Sequence, residues 1–380
     1  MCSSRLLKLA VLPVCALLGQ DAPLDPQSSI KFNLPADSPV AVLSANMGES
    51  RAAMRGSATV IDLHMGLTLR NAGARPIAGV TLLVTSQEGA LGGKGSVATP
   101  CLNVQPGDAF PVRIDLRLMR PMQAPGGPLV QVSLDGVLFR DLSFYGPNRL
   151  DSRRTLTAWE MEAQRDRAYF KQVLAAKGQV GLQAEVLASL QRQAERPRLN
   201  VAVSRGPAVS SAALGPERVA KFAFLQFPDS PVVPIQGWAQ IAGNEARAPR
   251  VEVRNRSGRP VRYVEIGWVV TDQQGRQFMA AQLPGAQPDL YLPPGRTGRL
   301  LQETALKFTR NEGQPVPLSS MAGFVSQVEF ADGELWIPDR RSLANAQLLG
   351  VLAASAEEQR LTEIYRKRGL AALVAELNRY

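Results

Sequence analysis

Histidine occurs once in this chain of 380 residues, cysteine three times, and aromatic side chains make up only 6% of it. His64 alone cannot form a multi-histidine zinc site, and so few cysteines remove the usual mixed His/Cys ligand sets. No G-x-S-x-G elbow accompanies His64, which lies inside an alternating apolar stretch, so a Ser-His-Asp triad lacks its usual setting. The glycine-rich stretch Glu88 to Ser96, EGALGGKGS, departs from the phosphate-loop pattern. Its first glycine stands one residue too close to Gly93-Lys94, and Gly95 takes the place of the magnesium-binding Ser or Thr, so a hairpin loop is expected. No cofactor or metal is expected.

Concentrated charge is scarce as well. The net charge of +10 comes from basic residues dispersed among acidic ones, and Arg366-Lys367-Arg368 is the one tight cluster. Nucleic-acid binders gather positive charge on one face, so nucleic acid is not an expected partner. A long apolar run is missing too. Leu9 to Gly19 is uncharged for 11 residues, too short to span a bilayer and suited to a signal-peptide core behind Arg5 and Lys8. Residues 1–20 are therefore read as a signal peptide, cleaved after Ala16 or Gly19. Cys15 follows Leu12-Pro13-Val14 and is the residue a lipoprotein would modify, although Val14 stands where that pattern prefers a small side chain. Removal of the signal leaves Cys101 as the one certain cysteine, so an internal disulfide is not expected and the core must supply the stability.

What the chain does contain is a repeat. RNAGARPI, Arg70 to Ile77, returns as RNRSGRPV, Arg254 to Val261, and Asp37-Ser38-Pro39-Val40 returns as Asp229-Ser230-Pro231-Val232. Pro106-Gly107 pairs with Pro294-Gly295, Asp135-Gly136 with Asp332-Gly333, and Pro147-Asn148-Arg149 with Pro338-Asp339-Arg340. Farther on, Phe170, Val173, Gly178, Leu182 and Val186 correspond to Leu361, Ile364, Gly369, Leu373 and Leu377. Landmarks in one order in both copies identify a duplicated module.

Each copy opens with strand periodicity. Ile61, Leu63, Met65, Leu67 and Leu69 alternate with polar or small residues, as do Val251 and Val253. The Asn-x-x-x-Arg-Pro phrase then turns the chain, because Pro withdraws a ladder donor and Asn and Gly tolerate positive φ. Regular short strands with Pro-Gly and Asp-Gly turns predict an antiparallel sandwich. The pattern apolar-x-apolar-x-Asn-x-x-Gly-x-Pro-apolar resembles the immunoglobulin-like domains of exported bacterial proteins, over about 40 residues per copy, and implies a fold without a specific activity. Thr157 to Glu160 and Ser355 to Glu358 fit the capping box that begins a helix. Gly178 and Gly369 sit where each helical segment would break in two.

The expected fold is mainly β with helical appendages: two tandem immunoglobulin-like antiparallel sandwiches, each followed by a short helical hairpin. The boundaries are residues 21–150 for the first sandwich, 151–197 for its helices, 198–217 for a linker, 218–341 for the second sandwich and 342–380 for its helices. Pro and Asn in the repeated phrase have backbone reasons to be there, and the arginines do not. Arg70, Arg75, Arg254 and Arg259 are therefore candidate surface contacts, joined by Trp336 and Arg340 at the strand end ELWIPDR. Catalytic residues are not assigned. The sequence predicts an exported, non-enzymatic structural or protein-binding protein of the bacterial cell envelope, whose partner is another envelope protein or a cell-wall polymer. One alternative is carbohydrate or cell-wall binding, or a glycoside hydrolase built on carboxylates alone. Another is an adaptor tethered to the membrane through lipidated Cys15.

Overall fold

The computed structural model describes residues 22–24, 26–88, 91–121, 127–196, 202–206, 217–285, 290–301, 305–309 and 314–380. The expected signal segment and Cys15 lie outside them. The chain is mainly β, 46% strand and 24% helix, and it divides into two units, residues 1–150 and 151–380.

In the first unit the elements run β1 (Ala22–Pro23), α1 (Pro26–Ser29), β2 (Ile30–Asn33), β3 (Val40–Asn46), β4 (Arg51–Arg55) and β5 (Ala58–Asn71). They continue with β6 (Ile77–Thr85), β7 (Lys94–Thr99), β8 (Ala109–Pro121), β9 (Val130–Phe139) and β10 (Phe144–Tyr145). One sheet has the order β1-β4-β5-β3 with β8 also on β5, and the other has the order β10-β9-β6-β7 with β2 parallel to β9. The alternation read in β5 places Ile61, Leu63, Met65, Leu67 and Leu69 at 0–1% exposure, against Leu82, Val132 and Val137 of the facing sheet in one core. The β6–β7 hairpin carries the glycine-rich stretch, and Lys94 opens a strand rather than a helix.

The second unit begins with α2 (Ser152–Glu195), followed by β11 (Ala202–Gly206), β12 (Arg218–Lys221), β13 (Ala223–Leu225), β14 (Val232–Ala242), β15 (Glu245–Asn255) and β16 (Val261–Asp272). Then come β17 (Gln277–Pro284), β18 (Thr297–Leu301), β19 (Ala305–Thr309), β20 (Leu318–Phe330), β21 (Leu335–Trp336), α3 (Arg340–Leu343), α4 (Ala346–Leu349) and α5 (Ala356–Leu377). Its sheets repeat the plan of the first unit. The first has β15 between β14 and the pair β18 and β19, and the second has β16 between β20 and β17, with β13 parallel to β20. Val251, Val253, Leu300 and Phe308 pack against Val264, Val270, Val325 and Val328. Within the connector, Ala202–Gly206 pairs with β19 as an added edge strand.

The repeated phrase has one structural job in both copies. The side chains of Asn71 and Asn255 are fully buried. Asn71 Nδ2 donates to the carbonyls of Arg75 (2.9 Å) and Val104 (3.1 Å), and Asn255 Nδ2 to those of Arg259 (2.8 Å) and Leu292 (3.0 Å). Each Oδ1 accepts from the turn, from Gly73 N at 3.0 Å and Ser257 N at 2.9 Å. One asparagine thus closes its own turn and staples it to a neighbouring loop.

Two sequence expectations are corrected. Asp135-Gly136 is not a turn equivalent to Asp332-Gly333: it lies inside β9, at a register shift against β6. The equivalent corner is Asp141-Leu142, where Leu142 adopts φ 62° as Gly333 adopts φ 85°. There Arg140 N donates to Pro76 O as Ala331 N donates to Pro260 O. Buried Asp135 instead accepts from the amides of Arg149 (2.8 Å) and Leu150 (3.3 Å). Thr157 is not a cap either, because α2 already begins at Ser152 and Thr157 lies buried within it. Ser355 does cap α5, accepting from Glu358 N at 3.0 Å.

Both long helices reverse at their glycines. Gly178 has φ 66°, ψ −167° and Gly369 has φ 79°, ψ −179°, a region that only glycine enters readily. Arg360 reaches Glu376 at 2.6 Å, although 16 residues of continuous helix would separate them by about 24 Å. Tyr169 and Glu185 interact in the same way across Gly178. The two hairpins pack together through Phe170, Val173, Leu182 and Val186 of α2 and Leu361, Leu373 and Leu377 of α5. A Cβ at either glycine would meet nothing within 4 Å, so only backbone strain opposes alanine. Gly178→Ala and Gly369→Ala are each expected to cost about 1–3 kcal/mol, read as a lower melting midpoint of the second unit. An unchanged midpoint would show that the reversal does not need glycine.

Candidate functional site

The sequence-derived candidates divide into three groups. Arg70 and Arg254 stand exposed at strand ends, opposite Ala41 and Ala109 and opposite Val233 and Thr297. Arg75 and Arg259 are occupied within their own units. The Arg75 guanidinium lies 3.8 Å from the Phe139 ring centre and that of Arg259 lies 4.1 Å from Phe330. Arg75 also reaches Ser143 at 2.5 Å and Asp141 at 3.7 Å, while Arg259 pairs with Asp332 and with Glu334 at 2.7 Å. These two arginines clamp the last hairpin of each copy, and such a stack contributes about 0.5–1 kcal/mol where it is exposed. Trp336 packs on two of the second unit's apolar clusters and donates through Nε1 to Asp229 at 3.1 Å.

Arg340 belongs to a third setting, and the structure does not bring the other five candidates to it. A groove of about 790 Å³ runs between the two arms of α2 and the segment 339–355. Its apolar wall includes Val173, Ala176, Leu343, Leu349 and Leu352, with Tyr169 among them. Burial, followed by the charge of Glu185, pushes the Tyr169 hydroxyl above its ordinary range.

Beneath the groove lies a buried ionic network. Asp166, fully buried, receives Arg165 (3.0 Å), Arg340 (3.1 Å) and the hydroxyl of Ser355 (2.5 Å). Glu358 receives Arg340 twice, at 2.5 and 3.0 Å, and the hydroxyl of Ser189 at 2.6 Å. Burial alone would raise the Glu358 carboxyl, but the hydrogen bonds and charge of Arg340, aided by Ser189 and Arg192, hold it below the usual carboxylate range. Arg340 thus ties α3 to α2 and α5, and only part of its side chain, 23% exposed, faces the groove. That tie explains its presence without an outside ligand.

The remaining groove charges are unbalanced. The lining includes Arg165, Lys177, Arg192, Arg196, Arg340 and Arg341 against three carboxylates, Glu185, Asp339 and Glu358. Each carboxylate is engaged: Glu185 by Arg192 at 3.2 Å, Asp339 by the amide of Ser342 at 2.7 Å, and Glu358 by Arg340. Lys177 and Arg196 form no ion pair or side-chain hydrogen bond with another described residue. Arg341 is exposed beside the capping Asp339. The rim therefore presents positive charge above an apolar wall.

Other titratable groups are held inside the fold. Burial pushes the carboxyls of Glu160, Glu162 and Glu265 up. Glu265 accepts from Tyr263 and Ser326, both at 2.9 Å, on the strand face below α2. His64 is exposed and meets Asp115 at 3.0 Å. Among the described residues no cluster of three or more His, Cys, Asp or Glu side chains is placed to hold a metal.

Sequence reading missed Asp166, Glu358 and the rim cations. One signal was available. From Asp166 onward the copies run in register with Glu357, but before it the first copy continues as helix where the second has two short helices. The groove sits where the duplication stops.

No family model matches the chain, and no curated protein matches it. A solved structure provisionally assigned as ApaA of Bordetella pertussis shares 14% identity over 38% of this chain and 98% of that one, with TM-score 0.17. A beta-glucosidase from Kluyveromyces marxianus shares 9% identity over 71% of this chain and 45% of that one, with TM-score 0.14. Overlaps this loose carry no argument about fold or function. No helix among the described residues is long and apolar enough to cross a membrane.

Proposed function

We propose that the chain is an exported, non-enzymatic protein-binding protein of the bacterial cell envelope, built from two immunoglobulin-like sandwich modules, with the groove of the second unit as its receptor site. One observation carries this reading: an apolar-walled groove of about 790 Å³ is rimmed by cations, of which Lys177 and Arg196 form no ion pair or side-chain hydrogen bond with another described residue. That volume falls in the range of built ligand sites, which pair apolar walls with a few placed polar groups. The paired sheets, the parallel edge strands β2 and β13 and the duplicated asparagine staples support the tandem-sandwich reading. The basic, uncharged-core N-terminus supports export.

The test is site-specific photo-crosslinking of the full chain in an envelope fraction. A crosslinker replacing exposed Gln172 or Ala176, both in the groove lining, is expected to give a defined protein adduct, and one replacing exposed Lys31 in the first unit is not. Folded protein giving no adduct from either groove position would overturn the reading.

A further inference from the structure

We propose that the groove takes an acidic peptide segment, with carboxylates on the rim cations and an apolar side chain on the wall. This deepens the protein-binding reading and rests on it. Charge complementarity selects the occupant. Lys177 and Arg196 form no ion pair or side-chain hydrogen bond with another described residue, and exposed Arg341 faces only Asp339, whose carboxylate already caps Ser342, while Glu185 and Glu358 are engaged by arginines. Val173, Leu343 and Leu352 provide the apolar surface that simple ion binding would not need.

Two occupants from within the protein are disfavoured by the same charges. The connector after α2 carries Arg198 and Arg205 and would bring positive charge to a positive rim. A second copy of the chain, at net charge +10, is repelled in general. An acidic polymer without side chains would satisfy the rim and leave the wall unused. A peptide that alternates acidic and apolar residues satisfies both, and a charge-led encounter of this kind weakens as salt is added.

The test uses the full chain and three probes: an eight-residue peptide alternating Glu and Leu, its Gln-for-Glu counterpart, and inorganic polyphosphate. The acidic peptide is expected to bind at least tenfold more tightly than the Gln peptide. The double variant Lys177→Glu/Arg341→Gln should lose at least tenfold of that binding, and its melting midpoint should match the parent's because neither side chain is buried and glutamine sets no like charge beside the capping Asp339. Equal binding of the two peptides, or indifference to the double variant, would overturn the proposal. So would polyphosphate that binds as tightly as the acidic peptide and displaces it, since the occupant would then be an anionic polymer. These outcomes separate from failure of the broader reading. Groove crosslinks that persist in the double variant leave protein binding standing and remove the acidic partner, whereas loss of groove crosslinks in the parent removes both.

Discussion

Replacing Asn255 with alanine is expected to lower the melting midpoint of the second unit by about 6–12 °C. The substitution deletes two donated hydrogen bonds and two accepted ones; the carbonyls of Arg259 and Leu292 keep Ser257 Oγ and Val261 N as donors, and the amide of Ser257 is left without a partner. The site is fully buried, so water cannot replace the side chain at no cost. An orphaned amide costs about 1–3 kcal/mol and each further lost hydrogen bond about 0.5–1.5 kcal/mol, and partial relaxation of the turn brings the total to about 3 kcal/mol. In a unit of this size each kcal/mol moves the midpoint by about 2–4 °C. Asn71→Ala should do the same to the first unit, where Arg75, Val104 and Gly73 lose the equivalent partner. Calorimetry on the full chain reads both effects. A shift below about 2 °C in either variant would mean that the staple is not what holds these corners.

That result would explain why the corner was legible in the sequence at all. Asn71 and Asn255 close their own turns through residues two to four positions away, and that local half of the staple repeats as a phrase, while its bonds to Val104 and Leu292 do not show in the sequence. Strand alternation was equally visible, since Ile61 to Leu69 face one core and obey a period of two. Arg75 and Arg259 stood out in the repeated phrase without a backbone reason, and each stacks on an aromatic more than 60 residues away, which no local rule reveals. Asp135-Gly136 misled because an Asp-Gly pair is a common turn, while this buried aspartate accepts from the amides of Arg149 and Leu150 instead. The groove was invisible for a stronger reason. Its network joins Asp166, Arg340 and Glu358 from three elements, and no local spacing in the sequence brings these three together. Repetition exposes what two modules share and hides what only one of them built.

The largest loss is expected from Arg340→Ala, about 3–5 kcal/mol of second-unit stability at pH 7. Removing one partner of a buried ion pair leaves the others desolvated and uncompensated, and here the remaining charges are the carboxylates of Asp166 and Glu358. Arg165 still holds Asp166, and Arg192 lies 3.7 Å from Glu358, so the network weakens without vanishing. The pH dependence follows from Glu358. In the parent its carboxyl lies below its unfolded value, so its contribution is present above the ordinary glutamate pKa of about 4.3 and is lost as pH falls through the lowered native value. Without Arg340, burial dominates and the shift reverses, so the variant loses stability as pH rises instead. The gap between parent and variant should therefore be widest near neutrality and narrow below about pH 4. Adding Glu358→Gln to Arg340→Ala removes one uncompensated charge and should recover a substantial part of the loss at pH 7, with a flatter pH profile. Thermal melts of all three proteins from pH 3.5 to 7.5 check this. A deficit that stays constant with pH would show that Arg340 holds the helices by packing and not through its carboxylates.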